Sequence, residues 1–356
     1  MSSIIKGNKI SVSVFGQSHS ESIGAVIDGI PAGIEIDYDK INAFMARRAP
    51  GQSKFSTPRK EADKPEVLSG IVNSKTCGAP ISIKIDNTNT RSQDYENLKL
   101  LPRPAHSDYS AYVKFGGNND IAGGGQFSGR LTAPLCYAGA ICSQILESKG
   151  ITIKTHIYSI KDVKDEAFDL ENLYDDELEF DSLFPVINRF KGERMKTVIQ
   201  LAREAGDSVG GVVECAVLGM PAGIGEPMFD GIENVISKNI FGIPAIKGIE
   251  FGSGFSGTEK YGSENNDNFS VKDGRVVTVT NNHGGILGGI TSGMPIVFRT
   301  AVKPTPSISV PQTSVNLKTM KEEELVVHGR HDPCIVPRAA AAIEAVTAIT
   351  VLDLVL

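Results

Sequence analysis

Two short glycine–proline motifs recur in this chain in the same order, and they constrain the fold more than any other feature. Gly29-Ile-Pro-Ala-Gly-Ile34 is echoed by Gly219-Met-Pro-Ala-Gly-Ile224, each directly after a β-like apolar run. Gly78-Ala-Pro-Ile81 is echoed by Gly293-Met-Pro-Ile296. Such Gly/Pro pairs end strands in tight turns, because Gly supplies positive φ and Pro fixes its own. Two similar elements in one order point to a pseudo-symmetric pair of βα halves. No linker-like stretch separates them, so one compact α+β domain over residues 1–356 is expected.

The chain carries a formal charge of -6, which repels nucleic acid and anionic membrane at long range. An anionic ligand would therefore need a local basic cluster. The five cysteines form no CxxC pair and no zinc-like spacing with histidine, which suits reduced thiols in a cytoplasmic protein and no metal site. The opening MSSIIKGNKISVSVFGQ has no apolar run of signal-peptide length. The stretch Ala339–Leu356 is very apolar but is interrupted by Glu344 and Asp353, so it reads as a core or subunit-contact helix rather than a membrane span.

Local patterning gives the elements. Ile10–Phe15, Ala25–Ile30, Ala79–Ile85, Val209–Leu218 and Arg275–Thr280 read as strands. Asp39–Arg48, Gly129–Lys149 (regular from about Thr132), Arg189–Ala205 and the segment after Pro337 read as helices. Ala49–Asp63 is a polar, basic, loop-like stretch, and Asp162–Asp181 reads as an acidic, solvated excursion.

Several motifs hold residues suited to chemistry. Gly16-Gln-Ser-His-Ser-Glu21 places His19 on a strand exit, as a simple turn residue or as an acid or base. Arg103-Pro-Ala-His-Ser-Asp108 puts His106 in a proline-restricted loop where Arg103 and Asp108 can fix the imidazole and tune it. Gly123-Gly-Gly-Gln-Phe-Ser-Gly-Arg130 leads into a helix and suits an anion, or is only a flexible turn. Asn281-Asn-His-Gly-Gly-Ile-Leu-Gly-Gly289 reads equally as a ligand loop or a hairpin turn, and the rigid Lys303-Pro-Thr-Pro-Ser307 offers a cation and hydroxyls to a phosphate. Gly329-Arg-His-Asp-Pro-Cys334 with Arg338 gathers arginines around Asp332, either as a surface charge cluster or as a carboxylate and phosphate fork.

Taken together these blocks resemble the chorismate synthase family across nearly the whole chain. The resemblance is carried by FGQSH at 15–19, RRAPGQS at 47–53, RSQDY at 91–95, RPAHSDY at 103–109, GGGQFSGR at 123–130, GDSVGG at 206–211, GEPMFDGIE at 225–233, NNHGGILGG at 281–289 and GRHDPCIVPR at 329–338. It implies an α+β sandwich of helices between antiparallel sheets. It also implies a cytoplasmic homotetrameric lyase of aromatic amino acid biosynthesis. The implied reaction converts 5-enolpyruvylshikimate 3-phosphate to chorismate by 1,4-anti elimination of phosphate and a ring hydrogen, with reduced FMN and no net redox change. NADPH, or a separate flavin reductase, would supply the reductant.

By the same resemblance His19 would assist the departing phosphate, and His106 would keep the reduced flavin correctly protonated. Asp332 would work with the flavin in removing the ring proton, and Ser18 and Ser128 would support these groups. Flavin contacts would come from Gln126, Phe127, Ser128, Pro244, Ala245, Gly288, Lys303, Pro304, Thr305, Pro306, Ser307 and Arg330. Arg48, Arg130, Arg330 and Arg338 would hold the substrate anions. Arg48 and Lys54 match nicotinamide nucleotide positions, where the same cations could hold substrate. Three places depart from the family pattern. Gly16-Gln-Ser-His-Ser20 replaces Gly-Glu-Ser-His-Gly, Gln126 stands where Arg is usual, and Pro244 stands in a run that usually reads Ile-Asn-Ala.

Overall fold

The computed structural model of the chain describes residues 3–51, 61, 63–88, 98–170, 173, 181–327 and 332–356. It contains two five-stranded antiparallel sheets. The first runs in the order Ile4–Lys6, Ser11–Gly16, Ser22–Asp28, Ile81–Asp86, Glu66–Ser69. The second runs Val163–Lys164, Thr152–Ile160, Gly211–Leu218, Ile296–Val302, Ile246–Phe251. Each has one buried face. Along Ile81–Asp86 the residues Ile81, Ile83 and Ile85 are buried in strict alternation, and along Ile296–Val302 so are Ile296, Phe298, Thr300 and Val302.

The buried faces cover a central helical layer. The Thr132–Ser148 helix lies on the first sheet and the Val336–Val355 helix on the second, and the two pack on each other. Small residues make the close approach possible: a Cβ on Gly139 would come within 2.3 Å of the Ala345 backbone. The last helix is apolar around most of its surface, as a fully enclosed helix must be. Its two acids are not loose ends. Glu344 takes a two-pronged ion pair from Arg47 at 2.8 and 2.7 Å, while Asp353 accepts the backbone N–H groups of Asn8, Lys9 and Ile10. No helix among the described residues is long and apolar enough to cross a membrane. The five cysteines are unpaired, and only Cys77 is exposed.

The repeat read from the sequence is a structural repeat. Ser22–Asp28 leads through Gly29–Ile34 to the Tyr38–Arg48 helix, and Gly211–Leu218 leads through Gly219–Ile224 to the Ile232–Ile240 helix. In each half the second motif opens the neighbouring antiparallel strand. The turns are pinned in the same way. Thr76 Oγ1 accepts the N–H of Ile34 at 2.9 Å and donates to the Pro31 carbonyl at 2.6 Å; Thr291 Oγ1 does the same with Ile224 and Pro221 at the same distances. Gly29 and Gly219 hold matching positive φ angles of 89° and 80°, each where a Cβ would strike a carbonyl oxygen of the adjacent chain segment.

Two expectations change. Ala25–Ile30 is displaced: the strand is Ser22–Asp28, and Gly24 lies within it because a Cβ there would meet the Ile83 carbonyl oxygen at 2.2 Å. The Asp162–Asp181 stretch is not simply solvated. Asp165 is buried beside His156, accepts the backbone N–H groups of Ile187 and Asn188, and lies 3.3 Å from the imidazole. Glu214 holds the other ring nitrogen at 2.9 Å and takes Arg299 at 2.8 Å. Two carboxylates around one enclosed ring stabilise the imidazolium, and they raise its pKa above the ordinary value against the opposing effect of burial.

Candidate active site

A cavity of about 720 Å³ opens where the glycine turn, the Arg103–Asp108 loop, the Lys303–Ser307 segment and the start of the last helix converge. Its floor is the glycine turn. Gly123, Gly124 and Gly125 hold φ angles of 62°, 88° and 52°, a left-handed run that L side chains resist. Space forbids side chains there as well. A Cβ on Gly123 would lie 2.2 Å from His19 Nδ1 and 2.5 Å from Ser18 Oγ, and one on Gly124 would lie 3.3 Å from His106 Nε2. Both histidines singled out in the sequence therefore pack against one turn, although His19 is not among the cavity-lining side chains. Ser18 is, and its N–H donates to the Gly125 carbonyl at 3.1 Å.

The Arg103–Asp108 loop orients His106. Asp108 Oδ1 lies 2.5 Å from His106 Nδ1, and Arg103 grips the same carboxylate at 2.7 and 2.8 Å. Arg103 Nη2 and Asp108 Oδ1 both approach Nδ1, at 3.1 and 2.5 Å; the nearer Asp108 can only accept, which assigns the proton to Nδ1 and leaves the lone pair on Nε2, toward the glycine turn. Burial holds the His106 pKa below its ordinary value; Asp108 works against this, and Arg103 and Lys303 add to it. His106 is thus a neutral, oriented imidazole at neutral pH. Arg103 also donates to Ser307 Oγ at 3.1 Å, and Lys303 Nζ donates to the Ala105 carbonyl, which ties the loop to the Lys303–Ser307 segment.

The arginines arrive already partnered. Buried Arg48 pairs with Asp63 at 2.5 Å and donates to Thr132 Oγ1 and the Gly129 carbonyl; its pKa is lowered to about 10, mainly by burial. Arg130 shares the same Asp63, lies 3.7 Å from Glu61 and donates to Asn87 Oδ1 at 3.0 Å. Arg338 pairs with Asp332 at 2.8 Å and donates to the Arg48 carbonyl at 2.9 Å. Asp63, Glu61 and Asn87 were missed in the sequence; Glu61 and Asp63 close the stretch read as a polar loop, yet both are buried.

Of the other expected residues, Gln126, Phe127, Ser128, Pro244, Ala245, Lys303, Thr305, Pro306 and Ser307 line the cavity. Pro304 does not line it but packs beside Gly210, and Gly288 sits instead in the turn between Ile286–Leu287 and Ile290–Thr291, with open space around it. The neighbouring His283 is held by Asp267 at 2.5 Å and by Ser292 at 2.9 Å, so that glycine motif is a hairpin turn in this fold. Lys54 and Arg330 lie outside the described residues.

The comparisons point to one family. The family model described as chorismate synthase matches residues 10–356. Chorismate synthases similar to this chain include that of Lancefieldella parvula, 45% identical over 98% of this chain and 94% of the relative, and that of Pyrococcus abyssi, 46% identical over 98% and 96%. The enzyme of Korarchaeum cryptofilum is 44% identical over 98% and 96%. A solved structure titled as the crystal structure of chorismate synthase superposes with a TM-score of 0.74 at 28% identity, covering 98% of this chain and 92% of that one. With its sandwich fold and its glycine turn between two histidines, this chain belongs to the chorismate synthase family, whose members are lyases of aromatic amino acid biosynthesis.

Proposed function

We propose that the cavity is where this chain eliminates phosphate from 5-enolpyruvylshikimate 3-phosphate, and that reduced FMN is the flavin it uses. One observation carries the reading: segments separated by more than two hundred residues place His106, Ser18, Asp332 and the Lys303–Ser307 segment around a single opening. The residues present fit a flavin phosphate and ring. Thr305 Oγ1 is buried with no hydrogen-bond partner among the described residues, a state that costs free energy unless a ligand fills it. The glycine turn offers backbone that a Cβ would otherwise block, and the exposed ring of Phe127 faces the same space. Cavities of roughly 300–1,000 Å³ take drug-sized ligands, so 720 Å³ suits a cofactor-sized ligand.

Reduced FMN, when bound, would lend an electron to the allylic system as the phosphate C–O bond breaks and would recover one as the ring hydrogen is removed. The chain's own residues do the rest. Asp332, oriented by Arg338, accepts the ring proton. His106, neutral and fixed by Asp108, presents Nε2 to hold or return a proton at the flavin side of the site. His19 packs against Gly123 outside the cavity lining, so its ring must turn past that glycine to donate to the departing phosphate, and Ser18 and Ser128 support these groups by hydrogen bonds. Arg48, Arg130 and Arg338 hold the substrate's anionic groups, with Asp63 and Glu61 keeping the guanidinium groups in place. NADPH or a flavin reductase maintains the reduced state.

The large exposed apolar side chains Phe229, Phe255, Phe269, Val271 and Val276 suit association of copies into a homotetramer. The site assignment is tested by anaerobic phosphate release with chemically reduced FMN. His106→Ala and Asp332→Asn should each lower turnover by about a hundredfold while substrate still binds. Turnover within about threefold of wild type in either variant would remove that residue from the mechanism.

A further inference from the structure

The cavity's charge balance singles out a residue that the family resemblance did not. Each cavity-lining arginine has a carboxylate: Arg48 and Arg130 share Asp63, Arg103 has Asp108, and Arg338 has Asp332. The two lining lysines, Lys247 and Lys303, have none within ion-pair distance among the described residues. Among the described residues, the unpaired positive charge lining the cavity is therefore at this end.

The backbone puts the two lysines together. Ile246–Phe251 pairs with Ile296–Val302, but the register slips between Ile246, opposite Val302, and Gly248, opposite Ala301. Lys247 is the extra residue of that bulge, and bulges commonly re-aim a side chain. Lys303 follows Val302 directly and donates its N–H to the Ala245 carbonyl at 3.0 Å. Two side chains that would otherwise follow the pleat of separate strands thus meet at one edge of the cavity. Buried Thr305 Oγ1, lacking a partner among the described residues, lines the same cavity.

We propose that Lys247 is an anion-binding residue of this site, forming with Lys303 and Thr305 a phosphomonoester subsite. The inference rests on the reading of the cavity as a flavin and phosphoester site. The lysines repel each other: burial and then Lys247 lower the Lys303 pKa, so the pair is relieved when a doubly charged phosphate sits between them. The phosphate belongs either to the flavin or to the substrate, and the experiment separates the two.

Oxidised FMN and riboflavin, which differ only in the phosphate, are titrated into wild-type protein, Lys247→Gln and Lys247→Arg. Substrate KM is measured on the same three proteins with saturating reduced FMN. If the flavin's phosphate occupies the subsite, Lys247→Gln weakens FMN binding about tenfold, leaves riboflavin binding unchanged and loses much of the salt dependence. Lys247→Arg restores it. If the substrate's phosphate occupies it, the ratio of FMN to riboflavin affinity is unchanged and KM rises by a similar factor, again rescued by Arg. An unchanged ratio together with an unchanged KM overturns the proposal, as does equal loss of FMN and riboflavin. Wild-type protein that binds neither flavin would instead overturn the reading of the cavity itself.

Discussion

Replacing Gly123 by alanine, with Gly288→Ala as its control, tests whether the glycine turn is a fitted floor for the histidines. The two glycines share nearly the same φ, 62° and 63°. An L side chain in that region costs roughly 1–2 kcal/mol, and both variants incur it. Their surroundings differ. The Gly123 Cβ would lie 2.2 Å from His19 Nδ1 and 2.3 Å from Cε1, whereas nothing lies within 4 Å of a Cβ on Gly288. Ordinary contact begins near 3.5 Å, so the His19 ring must retreat by roughly 1 Å. Overpacking of this size adds about 1–3 kcal/mol of destabilisation, and a 1 Å misplacement of a reacting group costs about a hundredfold in rate. Gly123→Ala should therefore lower the unfolding free energy by about 2–5 kcal/mol and phosphate release by about a hundredfold. Gly288→Ala should lose only the backbone share and keep turnover. Denaturant unfolding and the anaerobic phosphate assay read the two quantities. Equal losses in the two variants, or near-normal turnover in Gly123→Ala, would refute the fitted-floor reasoning.

Other consequences follow from the buried charges. Asp63→Asn leaves Arg48 and Arg130 without their shared carboxylate and should destabilise the fold by about 3 kcal/mol or more, read from the denaturant midpoint; an unchanged midpoint would mean that the arginines find other partners. His156→Asn should be similarly costly, because it leaves Asp165 and Glu214 facing each other. Since the folded His156 pKa is raised, its contribution is fully present below the unfolded value near 6.5 and is lost as pH rises through the higher folded value. The stability gap between wild type and His156→Asn should thus narrow on going to alkaline pH, and a gap that widens would contradict the imidazolium assignment. Gln126 lines the cavity from an exposed position, so Gln126→Arg should tighten reduced FMN binding about threefold at low salt and by less at high salt; unchanged affinity would place its side chain away from the flavin.

What was legible in the sequence was local. The Gly29–Ile34 and Gly219–Ile224 turns announced the two halves because turn chemistry is written in neighbouring residues, and the helices came from apolar spacing. Arg103, His106 and Asp108 were legible as a unit because they lie within six residues of one another. Partners brought together by the fold were not. Asp63 meets Arg130 across 67 positions, and Glu214 meets His156 across 58, so a buried acid looked like a loop acid and a clamped histidine like an ordinary strand residue. Lys247 was hidden for another reason. Its direction depends on a one-residue register slip, which no alternation pattern in a single strand reveals. Gly288 shows the reverse: its motif matched the family, yet it sits in a hairpin turn and does not line this cavity.

The central claim is an elimination that borrows electrons and returns them. It is tested most directly by measuring phosphate release and reductant consumption together, anaerobically, with reduced FMN substoichiometric to substrate. The account predicts many phosphates released per flavin, one per substrate, with no sustained consumption of reductant and no release when the flavin is kept oxidised. Reductant consumed in step with product would make the chain an oxidoreductase, and full activity with oxidised flavin would contradict the account outright.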